Sequence, residues 1–309
     1  GEKLDEDTQK TLEIAAIVHD ISCPSLREKY GNADGKKQEE VSSPMIREFF
    51  ADTDVKKSVV DRIDYMIAHH HTYTDVDGIY SADPRIAKGA RRMYEITYNE
   101  MLEMARLGAG VMQPRSVEMG QLYGIPIHVR STFTSEPGTI IREEYTVEEK
   151  SFIIRGVTHD EHVSKITVLG VSNTPGVAHR IFSALADANI DVDMIVQSIR
   201  SAESNMTDMV FTVASIDAEE ARQVVEGISA EIKASTVAID NDVAKISIVG
   251  AGMLGNPGIA ARMFGALSRA EINIEIISTS EISISCLIKG GSVKDAVNMI
   301  HDEFFHDET

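Results

Sequence analysis

Asn173-Thr-Pro-Gly-Val-Ala-His-Arg-Ile-Phe-Ser-Ala-Leu-Ala-Asp-Ala-Asn-Ile-Asp-Val-Asp193 recurs further along the chain as Asn256-Pro-Gly-Ile-Ala-Ala-Arg-Met-Phe-Gly-Ala-Leu-Ser-Arg-Ala-Glu-Ile-Asn-Ile-Glu275. From Pro175 to Pro257 the spacing is 82, and it holds to the end of the match. Self-similarity at a fixed period marks a duplicated supersecondary unit. Each copy opens on a period-two run rich in β-branched residues, Lys165-Ile-Thr-Val-Leu-Gly-Val171 and Lys245-Ile-Ser-Ile-Val-Gly-Ala251, which predicts a strand. Pro-Gly follows in both. Proline is pre-set in φ and lacks only an amide hydrogen that a first helical turn leaves orphaned, so helices are predicted to begin at Pro175 and Pro257. Apolar residues then fall at helical spacing: Val177, Ile181, Leu185 and Ala188, then Ile259, Met263, Leu267 and Ala270. Strands are predicted at 190–197 and 206–213, and again at 272–279 and 282–288, with closing helices at 218–228 and 293–304. Strand, helix, strand, strand, helix, strand is the split βαβ plan, an antiparallel sheet with both helices on one face, and the fold class is α+β.

The two copies end differently. The first has Ala234-Ser-Thr-Val-Ala-Ile239 as a fourth strand, whereas after the second copy's last helix only His306-Asp-Glu-Thr309 remains, too short and too charged for that role. An apolar sheet edge left open invites aggregation. The β-rich run Ser151-Phe-Ile-Ile-Arg-Gly-Val157, just before the first copy, is therefore predicted to complete the second sheet and interleave the two domains.

The pattern Gly170-Val-Ser-Asn-Thr-Pro-Gly-Val-Ala-His-Arg-Ile-Phe182, with Asp193-Met-Ile-Val-Gln197 after it and Ile274-Glu-Ile-Ile-Ser-Thr-Ser-Glu-Ile282 in the second copy, resembles the tandem ACT domains of aspartate kinase. The resemblance runs from about Thr74 to Phe305 and implies two ferredoxin-like domains that bind threonine or lysine as a feedback signal. It further implies an effector held between the first copy of one subunit and the second copy of another, touching Asn173, Pro175, Gly176, Ala178, Gln197, Asn273 and Ile274, with a homodimer through these domains or a complete kinase subunit as partner. Asn173 stands where the family often has aspartate and Asp191 where it often has asparagine, which leaves threonine against lysine open. The chemistry is readable independently. Amide hydrogens at the start of a helix favour a carboxylate, Gly176 lets the backbone approach it, and Asn173, Gln197 or Asn273 offers an acceptor for an ammonium. The plainer alternative is that the Pro-Gly starts and Gln197 are only caps and sheet edges.

Outward from the repeat, 309 residues suffice for two or three cores. A net charge of −19 argues against nucleic acid or an anionic membrane as partner, since either needs a positive footprint. No apolar run approaches a membrane span and residues 1–20 carry no secretory pattern. Cys23 and Cys286, far apart in sequence, suit free buried thiols in a reducing cytoplasm. The chain starts at Gly1, as a fragment does.

Residues 1–70 read as helical, with an apolar stripe at Leu12, Ala15, Ala16 and Val18, another at Val59, Val60, Ile63 and Ile67, and the turn-rich Lys29-Tyr-Gly-Asn-Ala-Asp-Gly-Lys36 between. His19-Asp20 ends one helix and His69-His70-His71 another, a grouping able to hold divalent metals that activate water. Ala15-Ala-Ile-Val-His-Asp-Ile21 is similar to the central motif of the HD superfamily of metal-dependent phosphohydrolases, which implies His19, Asp20, His70 and His71 as metal ligands. That family also needs a histidine upstream and an aspartate on a later helix; neither is found, so weak, substoichiometric metal is expected.

Thr74-Asp-Val-Asp-Gly-Ile-Tyr-Ser-Ala-Asp-Pro-Arg85 resembles the nucleotide-contacting segment of aspartate kinase, and by that resemblance Thr74, Asp75, Tyr80 and Arg85 match ATP-site positions. The bland reading of Asp75 and Asp77 is turn chemistry. In Leu107-Gly-Ala-Gly-Val-Met-Gln-Pro-Arg115, Gly110 replaces the family's lysine, and the family's phosphate-binding front precedes anything in this chain. Phosphoryl transfer rests on positioning and charge stabilisation, so the chain alone is expected not to phosphorylate aspartate, and ATP enters only with a complete kinase. Residues 79–150 read as the tail of a kinase domain, with a helix at 95–108, a short buried strand at 125–129, a turn at Pro137-Gly138 and a linker at 147–150. The domain plan is thus an HD-like helical segment at 1–73, a remnant of the amino-acid-kinase α/β domain at 74–150, and interleaved tandem ACT domains at 151–309. Three functions follow in order of support: an amino-acid-binding regulatory region, an HD-type hydrolase with an ACT sensor, and a non-functional chimera.

Overall fold

The computed structural model describes residues 77–131, 136–145, 153–201 and 205–305, without the side chains of 199–201. Two compact units are distinguished, one built from residues up to Ile79 together with Arg92–Lys150, the other from Tyr80–Arg91 together with Ser151–Thr309.

In the first unit, strand β1 (Glu95–Thr97) runs into helix α1 (Tyr98–Arg106), followed by α2 (Pro114–Tyr123), β2 (Ile127–Val129) and β3 (Thr139–Arg142). The strands form a small mixed sheet in the order β1-β3-β2. Sequence periodicity alone places a single helix over 95–108. The structure starts it at Tyr98, because Thr97 and Glu100 form a capping box in which the Thr97 hydroxyl accepts the Glu100 amide and the Glu100 carboxylate reaches back to Thr97. Glu100 is buried, and Thr97 Oγ1 (2.7 Å) and the Tyr145 hydroxyl both donate to its carboxylate. Helix α2 escapes the periodicity reading, although it is framed by Pro114 at its start and Gly124 in a left-handed conformation at its end. The strand foreseen at 125–129 is confined to β2 and only Val129 in it is buried, since His128 faces solvent.

The second unit holds two sheets. The first is β5 (Val163–Ser172), α3 (Val177–Asp187), β6 (Ile195–Ser201), β7 (Met206–Ala214), α4 (Ala218–Gly227), the single turn α5 (Ser229–Ile232) and β8 (Thr236–Asp240). Its strand order is β6-β7-β5-β8, antiparallel throughout. The alternation does the sorting. Ile166 and Val168 of β5 and Met209, Phe211 and Val213 of β7 pack against Val177, Ile181 and Leu185 of α3 and Ala221 and Val225 of α4. The second sheet repeats the plan with β9 (Val243–Val249), α6 (Ile259–Arg269), β10 (Ile276–Thr279), β11 (Ser283–Lys289) and α7 (Val293–Phe305), in the order β10-β11-β9.

The fourth strand of the second sheet is a segment lying before the first copy in sequence. It is β4, Gly156–Asp160, antiparallel to β9 with Gly156 opposite Val249 and Asp160 opposite Lys245. The strand overlaps the proposed run 151–157 only at Gly156 and Val157 and continues beyond it to Asp160, with the Arg155 amide adding a bond to the Val249 carbonyl at 2.7 Å. With β4 in place, β9 is buried along its whole length. Tyr80–Arg91 joins the same core: the Val157 amide donates to the Ser81 carbonyl at 2.7 Å, and Ala82 and Ala87 pack among the side chains of β9, β11 and α7.

The helices do not start at the prolines. Gly176 and Gly258 cap them in the left-handed region, with φ of 95° and 100°, so α3 begins at Val177 and α6 at Ile259. The extended runs that sequence started at 190 and 272 begin later, at Ile195 and Ile276. Asn189 and Glu271, both at positive φ, end the helices in a left-handed turn, and Ile190 is spent on the core of the loop rather than on the sheet.

The sheet faces turned away from the helices meet each other. Val163, Val210, Met194, Val243, Ile276 and Leu287 form one apolar cluster drawn from both copies. Among the described residues no helix is long and apolar enough to cross a membrane.

Candidate functional site

Strand β5 ends on a bulge. Its register with β7 shifts between Val168 and Val171, and Gly170 sits there at φ 65° with its amide donated to the Asp208 carboxylate at 2.8 Å. A Cβ at this position would lie 2.3 Å from Ser235 Oγ, so the kink is made for glycine. Beyond it, the Asn173 amide donates to the Asn205 carbonyl at 3.0 Å, and Thr174, Pro175 and Gly176 turn the chain into α3. The result is a cavity of about 320 Å³ beside the amino end of α3. Ser172, Asn173, Thr174, Pro175, Gly176, Val177 and Ala178 line one side; Gln197 of β6 and Thr207 and Met209 of β7 line the other. Its volume lies at the small end of ligand pockets.

First-turn amides of a helix have no carbonyl four residues back, and with the helix dipole they favour an anion. A Cβ on Gly176 would meet nothing within 4 Å, so the space in front of that turn is open. The Thr207 hydroxyl is committed to the Ser198 carbonyl at 2.6 Å and fixes the strand pair on which Gln197 stands, opposite Met209.

A second cavity, of about 380 Å³, lies at the other end of the second copy's first helix, lined by Phe264, Ser268, Glu271, Ile272, Asn273 and Ile274. The seven residues proposed from sequence thus fall into two groups. Asn173, Pro175, Gly176, Ala178 and Gln197 share the first cavity; Asn273 and Ile274 share the second. Thr207, Met209, Phe264, Ser268 and Glu271 are additions that sequence reasoning missed. Met209 was within reach, because a residue directly across an antiparallel pair from Gln197 must share its face.

Of the nucleotide positions, Thr74 and Asp75 lie outside the described residues. Tyr80 and Arg85 belong to the segment packed on the second sheet, where the Arg85 guanidinium is folded onto Asp83 through Nε at 3.0 Å and Nη2 at 2.7 Å. Those contacts hold the Asp83 carboxyl below its usual range. Gly110 is open, with nothing within 4 Å of a Cβ built there. His19, Asp20, His70 and His71 lie outside the described residues; within the described residues no group of three or more histidine, cysteine or acidic side chains is placed to hold a metal. Cys286 is a buried free thiol whose pKa burial raises to about 12.

The duplicated ferredoxin-like unit thus places one small cavity at the amino end of α3 and another at the carboxyl end of α6. Residues 166–227 and 246–304 match the ACT domain family, and residues 71–131 match the amino acid kinase family. The chain is 43% identical over 235 residues to an aspartokinase of Mycolicibacterium smegmatis, covering 75% of this chain and 55% of that protein. The crystal structure of the Clostridium acetobutylicum aspartate kinase superposes with a TM-score of 0.65 at 25% identity, over 75% of this chain and 53% of that one. Escherichia coli aspartokinase III, solved in complex with lysine and aspartate, superposes with a TM-score of 0.60 at 25% identity, over 75% of this chain and 51% of that one. Over these residues the chain is similar to the aspartate kinases, with a segment that matches the amino acid kinase family followed by two that match the ACT domain family. It spans about half the length of the curated relatives it matches.

Proposed function

We propose that the tandem ACT region binds an amino-acid effector, threonine or lysine, and by doing so controls an aspartate kinase in the cytoplasm by feedback. The observation that carries this reading is the first cavity, where a helix amino terminus and Gly176 face Gln197 and Asn173 across a space fit for one small zwitterion. The effector carboxylate takes the first-turn amides of α3, and its ammonium takes the side-chain oxygen of Gln197 or Asn173. Asn273 and Ile274 line a different cavity of the same chain, so their part in the site is supplied by a second copy, which makes a homodimer or a complete kinase subunit the partner. The lysine bound to the Escherichia coli homologue supports an amino-acid ligand for this fold. ATP belongs to that complete kinase. For residues 1–73, the HD-like reading of His19, Asp20, His70 and His71 rests on sequence alone, and metal analysis of purified protein decides it; stoichiometric metal retained through dialysis revives the hydrolase alternative.

Calorimetric titration of the full chain with threonine and with lysine tests the central reading. Saturable binding of at least one is expected, and Gln197→Ala should weaken it roughly tenfold, the worth of a hydrogen bond to a charged group. No heat with either amino acid overturns the proposal.

A further inference from the structure

The two copies are held together by reciprocal ion pairs. Lys165 and Lys245 occupy the same place in the repeat, near the start of each copy's first strand, and Asp193 and Glu275 both end the repeated stretch. Lys165 of the first copy reaches Glu275 of the second, and Lys245 of the second reaches Asp193 of the first. Residue i of one unit meets j of the other while j meets i, which is the signature of an isologous interface, here joined in one chain. Lys245 is only 4% exposed, so its charge is committed to this pairing. Lys165 also lies 3.2 Å from Asp240, and Lys289 completes a balanced group of four, 2.6 Å from Asp240 and 3.2 Å from Glu275.

The acids are placed where the cavities are. Glu275 directly follows Asn273 and Ile274 of the second cavity, and its amide donates to the Leu287 carbonyl at 2.8 Å. Asp193 leads into the strand bearing Gln197 of the first cavity, and its amide donates to the Thr212 carbonyl at 3.1 Å.

We infer that Lys165 and Lys245 are positioning residues, each fixing the effector-lining segment of the opposite copy, so that the two cavities of one chain are energetically coupled. This rests on the effector reading given above. Lys165→Met in the full chain should weaken threonine or lysine binding by about tenfold, the usual range of coupling between sites, and speed hydrogen exchange of the amides at 273–276. Lys165→Arg should restore both. A Lys165→Glu, Glu275→Lys double variant restores the 165–275 pair but sets residue 165 against Asp240 and residue 275 against Lys289, so it should recover only part of the loss, whereas Lys165→Glu alone puts three acids against one lysine and should be worse than Lys165→Met. Unchanged affinity together with unchanged exchange at 273–276 in Lys165→Met overturns the inference, as does a loss that arginine fails to rescue. If the wild type binds neither amino acid, the effector reading falls, and the exchange measurement alone decides whether the lysine positions the segment.

Discussion

His301 is a titrating group inside the second sheet's core. Its Nε2 lies 2.9 Å from Ser81 Oγ, its ring stacks on Phe305 at 4.6 Å, and burial holds its pKa below the ordinary 6.5, with Asp302 opposing the shift and Arg91 adding to it. Because the folded-state value is the lower one, the unfolded chain binds the extra proton first. The neutral ring's contribution to stability is fully present above pH 6.5 and is lost as pH falls through the folded pKa. The carboxylates of Asp240 and Glu303, held below their usual range by Lys289 and by Arg262 respectively, act in a separate window, lost only as pH falls below about 4. Thermal unfolding between pH 7.5 and 5 should therefore show a falling Tm, and His301→Gln, which keeps a partner for Ser81 but does not titrate, should flatten it. An unchanged slope in that variant contradicts the assignment. None of this residue-scale detail was legible in the sequence. Lys165 and Lys245 sit at polar positions of alternating strands, and only the packing of one sheet on the other reveals that the face bearing them is an interface.

At the scale of elements, the repeat gave away the strand and helix types, because period-two and period-3.6 patterns survive duplication. Boundaries were less accessible. Pro-Gly reads equally as a helix start or as the turn before one, and the left-handed Gly176 and Gly258 decide for the turn. The capping box at Thr97 and the Pro114 to Gly124 frame of α2 were written in the sequence, but only Val117 and Gly120 of α2 are buried, too few to mark an apolar stripe. The role of β4 came from an edge argument rather than from pattern: a sheet with three strands and no fourth candidate at its own end must borrow one. A chain beginning at Ser164 lacks β4 and the Val157 side chain that packs with Ile246 and Ile248. It should expose the β9 edge and aggregate, measured as loss of soluble protein and of a cooperative unfolding transition. A soluble, cooperatively folding product from Ser164 contradicts the essential role given to β4.

For the whole molecule, duplication supplies both domains and the symmetry between them. Two copies of one plan pack by the faces away from their helices, tied by equivalent lysines, and each presents its cavity at a different end of its first helix. In the proposed effector site that separation is met by a second copy, which would bring Asn273 to Gln197. The most direct measurement is to map amide chemical shifts of the full chain on titration with threonine and with lysine. The account requires saturable shifts concentrated at Gly176, Val177 and Ala178, together with Gln197 and with Asn273–Ile274. Shifts confined to other residues, or none at saturating concentrations of both amino acids, would contradict it.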